Sequence, residues 1–155
     1  DAATLKTYCA NQNGRKTTMQ DCIFCKIAAG DIPAEKILED DHALAFMDIG
    51  PLAEGHVLLI PKEHAETVDE MSTENAAAVL RHLPVLASAV RNATGCEGLN
   101  VLQNNGKVAH QEVPHVHFHL IPRKTGDAFH FNWPAGKYSE GRLADLANRI
   151  RKAMP

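Results

Sequence analysis

Short apolar runs alternate with polar turns along most of this chain, and one long central stretch changes period. "KILED" (36–40) and "ALAFMDI" (43–49) lie on either side of the polar "DDH", which predicts a hairpin. "HVLLIPK" (56–62) predicts a buried strand ended by Pro61. From Glu66 the spacing lengthens. "ETVDEM" predicts a short helix, and Ser72 is a good N-cap for a helix running on toward Gly95. Val79, Leu83, Leu86 and Val90 mark one face of that helix. Pro84 lies inside it and has no N–H for the preceding turn, which predicts a kink. Gly95 is a plausible terminator. "GLNVLQN" (98–104) predicts a strand, followed by the polar loop "NGKVAHQEVP" (105–114) and another strand in "HVHFHLIPR" (115–123). A last helix is expected from Ser139, with Leu143, Leu146, Ala147, Ile150 and Met154 at helical spacing. Strands, helix, strands and helix, joined through hairpins, place the chain in the α+β class with an antiparallel sheet.

A chain of 155 residues, 45% apolar and 23% charged, has the material for one packed domain. Residues 1–18 are polar and weakly patterned, and are expected to be a disordered or non-native extension with Met19 a candidate start. Residues 19–155 then form the domain. Sixteen basic against 19 acidic side chains leave a formal charge of −3, so no basic field is available to hold long nucleic acid. A small phosphorylated ligand needs only a few local donors and stays open. No apolar run approaches the roughly 18 residues of a membrane span, and the start lacks the apolar core of a signal peptide. A cytoplasmic, reducing location is therefore expected. The four cysteines read as thiols or metal ligands sooner than as disulfides.

The composition includes nine histidines, and three of them alternate in "HVHFHLIPR". Side chains two apart on a strand share a face at a spacing of about 6.6–6.8 Å. His115, His117 and His119 would project on one side, with Val116, Phe118 and Leu120 packing against a helix on the other. The apolar half is structural. The histidine half is costly, because each buried imidazole needs partners for two nitrogens. Two chemistries suit it. Neutral imidazoles can bind zinc, and H-x-H on a strand can supply two ligands; Cys22 and Cys25 form a C-x-x-C pair, a two-ligand bite that by itself suits zinc, a redox pair or chance alike. Alternatively, a neutral imidazole can attack phosphorus while its neighbour holds phosphate oxygens or protonates a leaving group.

"HVHFHLI" matches the alternating histidine–apolar signature of the histidine triad, or HIT, family of nucleotide hydrolases and transferases. "DCIFCKIAAGDIPAEKILEDDHALAFMDIGPLAEGHVLLIPKEH" and "NNGK…QEVPHVHFHLIPR" resemble its two halves, over roughly Asp21 to Met154. The resemblance implies a HIT-like fold: a five-stranded antiparallel sheet per subunit, a long helix and a C-terminal helix. It also implies a homodimer, with the long helix and a neighbouring strand at the interface. By motif position His117 is the nucleophile on the α-phosphate of a nucleotide, giving a nucleotidyl-histidine that water hydrolyses. His119 matches a phosphate ligand and leaving-group aid, and His56 a histidine near the phosphates. Asp48 matches an acid that binds ribose hydroxyls, and Asn104 and Gln111 match polar phosphate- or ribose-side positions. The implied substrates are purine nucleotides, either dinucleoside polyphosphates or nucleoside phosphoramidates. Magnesium is expected only as part of a substrate complex. The resemblance further implies a structural zinc on Cys22, Cys25, His64 and His115, which would leave His117 and His119 free for chemistry.

The active-site loop departs from the family. Many relatives have a glycine before the glutamine and a hydroxyl residue after it, whereas this chain has His110 and Glu112. A carboxylate facing phosphate would repel it, so Glu112 is expected to point away and His110 to lie at the surface. Two other readings stand beside the enzyme. One is a zinc-stabilised nucleotide-binding or interaction module with little turnover. The other is a catalytic zinc on His115, His117 and His119. His42 and His82 read as exposed, "FHFNWP" (129–134) as packing, and Cys9 and Cys96 have no partner spacing.

Overall fold

The computed structural model describes residues 8–10, 16–18, 21–130 and 132–155. Its strands are β1 (Tyr8–Ala10), β2 (Lys16–Thr18), β3 (Lys36–Glu39), β4 (Ala43–Met47), β5 (Val57–Pro61), β6 (Gly98–Gln103) and β7 (Phe118–Arg123). Its helices are α1 (Ile23–Ala29), α2 (Thr73–Leu80), α3 (Leu83–Thr94) and α4 (Arg142–Ala153). Strands β1 and β2 pair antiparallel, Cys9 opposite Thr17, within the segment expected to be an extension. The rest of residues 1–18, and Met19, lie outside the described residues.

The other five strands form one sheet in the order β3-β4-β5-β7-β6, every neighbour antiparallel. This is the sheet that the resemblance implied. Its two central strands explain the non-alternating runs. Strand β5 is buried at all five positions and β4 at four of five, because both faces are covered. One face carries Ala43, Ala45, Val57, Leu59 and Leu120 against Val79, Leu86 and Val90 of α2 and α3. The other carries Leu44, Phe46, Leu58 and Ile60 against α1, with Phe24, Ile27 and both C-x-x-C cysteines. Helix α1 had not been expected. At seven residues it is too short to show a clear period, and it ends where Gly30 turns left-handed at φ 85°.

The long helix is divided, as Pro84 requires. Ser72 caps α2 by accepting from the Asn75 N–H at 3.1 Å. Arg81 and His82 keep right-handed helical angles, but the hydrogen-bond ladder is interrupted and Pro84 falls in the first turn of α3. Asp40, in the β3–β4 turn, pins this break. Its carboxylate accepts from the backbone N–H groups of His42 and Ala43, both at 2.8 Å, from Arg81 at 2.7 Å and from His82 Nε2 at 2.8 Å. His82 is thus not the exposed residue expected; its side chain is 14% accessible. Helix α4 begins three residues after Ser139 and buries none of its side chains within the chain. Leu143 and Ile150 are 62% and 65% exposed. No helix among the described residues is long and apolar enough to cross a membrane.

The bond from the His42 N–H, then that from Arg81, holds the Asp40 carboxyl well below the usual carboxylate range. A depressed folded-state pKa gives stability that is complete above the unfolded value of about 3.9 and is lost as pH falls below it. Asp40→Ala is expected to cost about 1–2 kcal/mol at neutral pH, as the loss of a turn-capping carboxylate does. Denaturant melts should show the difference between variant and wild type shrinking as the pH falls below about 4. A difference that does not depend on pH would contradict this.

Candidate active site and metal centre

Strand β7 starts at Phe118, directly after the lead-in that carries His115 and His117. The expectation of one strand bearing all three histidines is corrected here. Opposite the lead-in, β5 ends at Pro61, which has no N–H, and Val116 instead donates to the Ala65 carbonyl at 2.8 Å. The alternation survives in an extended chain. Val116, Phe118 and Leu120 enter the core under α2 and α3, while the His117 and His119 rings lie 4.8 Å apart.

At the Pro61 end, the first histidine meets the cysteines. His115 Nδ1 lies 3.4 Å from Cys22 Sγ, 3.5 Å from Cys25 Sγ and 3.1 Å from His64 Nδ1. Cys25 Sγ is 3.1 Å from His64 Nδ1. All four residues are buried. His115 donates through Nε2 to the Pro61 carbonyl at 2.9 Å, so its Nδ1 offers a lone pair inward. Tetrahedral zinc with ordinary Zn–N and Zn–S bonds separates its donors by about 3.3–3.8 Å, so the donor set and its spacing fit that ion. A bond from the Cys25 thiol, then His115, lowers Cys22 to about 4. Burial, then His115, lowers His64 to about 4. Both therefore favour their ligating forms, thiolate and neutral imidazole. Phe24 stands between the cysteines in sequence and meets the His115 and His117 rings edge to face, with ring centres 5.9 and 5.2 Å away.

His117 is 4% exposed. Its Nδ1 donates to the His115 carbonyl at 2.7 Å, which leaves the Nε2 lone pair unprotonated. Burial is the main cause that keeps this ring neutral. Beside it, His119 Nδ1 lies 2.9 Å from His56 Nε2, and His56 Nδ1 accepts from the Leu52 N–H at 3.1 Å. Asp48 Oδ2 is 3.6 Å from that same His56 nitrogen, and Asp48 Oδ1 accepts from Gly50 N–H at 2.8 Å. Burial, then His117 and His56, lowers His119 to about 4. The three triad rings do not converge on one point. His115 turns to the cysteines, His117 to a carbonyl and His119 to His56, so the geometry of a zinc held by the triad is not formed.

Asn104 and Gln111 are committed to the loop that carries them. Gln111 is buried, accepting from Gly106 N–H at 2.6 Å and donating to the Glu66 carbonyl at 2.7 Å. Asn104 donates to the His110 carbonyl at 3.3 Å, and one register step beyond the Gln103–Phe118 pair it lies abreast of His117. Glu112 is exposed, and so is His110. His110 has φ 64°, the one positive φ among the described non-glycine residues. That conformation costs glycine nothing and any other residue some strain. Sequence reasoning missed Phe24, whose signal was an aromatic inside C-x-x-C. It also missed the Leu52 N–H and the Pro61 carbonyl, which as backbone groups leave no trace in side-chain identity.

Known proteins resemble this chain over most of its length. A family model described as the HIT domain matches residues 29–126. Adenosine 5'-monophosphoramidase hnt1 of Schizosaccharomyces pombe is 46% identical over 130 residues, 83% of this chain and 95% of its own. Adenylylsulfatase HINT3 of Arabidopsis thaliana is 43% identical over 111 residues, 72% of this chain and 56% of its own. The crystal structure of a HIT family member from Bacillus subtilis superimposes with a TM-score of 0.83 at 43% identity, covering 87% of this chain and 98% of that one.

The left-handed His110 carries strain of about 1 kcal/mol, partly offset by the greater unfolded-state freedom of glycine. His110→Gly is expected to match or exceed wild-type stability by up to about 1 kcal/mol, and His110→Val to lose about 1–2 kcal/mol. Chemical denaturation midpoints check both, and equal midpoints for Gly and Val would contradict the assignment.

Proposed function

This chain belongs to the HIT domain family, and from that membership we propose that it is a nucleotide hydrolase acting at the α-phosphate through His117. The observation that carries the reading is the 2.7 Å bond from His117 Nδ1 to the His115 carbonyl. It fixes the tautomer so that Nε2 keeps its lone pair as a neutral nucleophile. In the first step the Nε2 lone pair forms a bond to the α-phosphorus. The bond to the leaving group breaks, and the departing amine or phosphate keeps the electron pair and takes a proton from solvent. In the second step water supplies the oxygen that displaces His117, its proton passes to solvent, and a nucleoside monophosphate is released. His119 holds phosphate oxygens beside the nucleophile, and Asp48 accepts from ribose hydroxyls. The similarity to an adenosine 5'-monophosphoramidase favours adenosine phosphoramidates over dinucleoside polyphosphates as substrates.

The test is intact mass after a basic quench, milliseconds to seconds after mixing with adenosine 5'-phosphoramidate. A transient gain of one nucleotidyl group on the wild type, absent from His117→Asn, is expected. An adduct that persists in the variant, or no nucleotide release by the wild type, would overturn the reading.

The proposal extends to the metal and to assembly. Cys22, Cys25, His64 and His115 would hold a structural zinc with no open position, so the ion would supply rigidity under the His115–His117 segment. Cys22, Cys25 and Cys96 are all unpaired thiols, which suits a reducing cytoplasm. The homodimer would use the outer strand β6, whose Val101 is 45% exposed, and α3, whose Val85 is 57% exposed. A native mass spectrum reads both points at once. Two chains with one zinc per chain are expected, and a metal-free monomer would contradict them.

A further inference from the structure

We propose that His56 is a positioning residue: with a proton arrangement imposed by the Leu52 backbone N–H, it sets which nitrogen of His119 carries a proton. The catalytic consequence rests on the hydrolase reading above, whereas the proton arrangement rests on hydrogen-bond geometry alone.

The backbone N–H of Leu52 can only donate, so His56 Nδ1, at 3.1 Å, accepts. A neutral His56 then carries its proton on Nε2. That nitrogen lies 2.9 Å from His119 Nδ1, a distance with room for one shared proton. The proton belongs to His56, so His119 Nδ1 accepts and the His119 proton sits on Nε2. His119 is half-buried, whereas His56 is 1% exposed. His56 was expected to contact substrate; it lies behind His119 and acts through it.

The chain of bonds also restricts charge. Protonating His119 puts a second proton between its Nδ1 and His56 Nε2. Relieving that clash by moving the His56 proton to Nδ1 would set it against the Leu52 N–H. Two donors oppose each other in either case. The titratable groups around His119 are His56 just ahead of β5, His117 ahead of β7 and Asp48 after β4. Asp48 favours positive charge on the pair, but burial opposes it more strongly. His119 is therefore a neutral N–H donor aimed at a phosphate oxygen, oriented before the reaction begins. It does not act as an acid that surrenders its proton to the leaving group.

The proton positions can be read from two-bond nitrogen–proton correlation spectra of the full chain labelled with 15N-histidine. Spectra run from about pH 7 to about pH 5.5, below the ordinary histidine pKa. In the wild type His56 and His119 should both appear as neutral Nε2–H tautomers throughout. In His56→Leu, His119 should show mixed tautomers. Its kcat should fall on the order of a hundredfold, the cost of losing one oriented donor, with a smaller change in KM. His56→Gln keeps an amide N–H for His119 and should recover to within about tenfold of wild type. A wild-type His119 that appears as Nδ1–H, or as a cation at neutral pH, overturns the proposal. So does an unchanged kcat in a folded His56→Leu. The wild-type spectrum needs neither a variant nor a substrate. A protein without turnover would therefore sink the hydrolase reading while the proton arrangement is still decided.

Discussion

His115 is fully buried, and each of its polar atoms is committed to a different part of the molecule. Its N–H bonds the Val113 carbonyl and its Nε2 the Pro61 carbonyl, which ties the lead-in of β7 to the end of β5. Its Nδ1 closes on two cysteines and His64. Its own carbonyl accepts from His117. The sheet, the cysteine helix and the His117 tautomer therefore share one residue. A shift at any of the three reaches the other two through short bonds in a dry environment, where an unmade bond costs most.

The sheet around it keeps two kinds of face apart. Under α2 and α3 the strands present a continuous apolar cluster, and each fully buried leucine or valine there contributes about 1.5–3 kcal/mol. That face supplies stability. The face toward α1 is apolar over β4 and β5 and becomes imidazole over β7 and its lead-in. Buried imidazoles are affordable there because their nitrogens find carbonyls, backbone N–H groups or one another. The apolar half of the triad segment faces the stabilising side, so three histidines in seven residues do not weaken the core.

Local costs are accepted around the site. His110 sits in the left-handed region at the corner of the 104–114 loop, where Gln111 and Asn104 brace the turn from within. Asn75, in the first turn of α2, buries both polar side-chain atoms without a hydrogen bond. The structure offers no physical account of that residue. Glu112 is exposed, and the glutamine beside it is a structural brace whose bonds do not depend on its neighbours' identity.

Much of this was legible in the chain itself. Hydrophobic period gave the β3–β4 hairpin, β5, β6 and the α2–α3 face, because which side of an element is buried is written into side-chain spacing. Pro84 announced the helix break for the same local reason. The histidine and cysteine motifs named the residues that the fold then gathers into two clusters. Other features belonged to tertiary structure alone. Helix α1 is too short to declare a period, and β7 starts late because Pro61, on another strand, offers no N–H. That His56 Nε2 meets His119 Nδ1, and that Gln111 bonds the Glu66 carbonyl, depended on groups far apart in sequence. Residue types determine what a side chain can donate or accept. Only the folded backbone decides which partner comes within three ångströms of it, and those partners are mostly carbonyl and N–H groups that every residue shares.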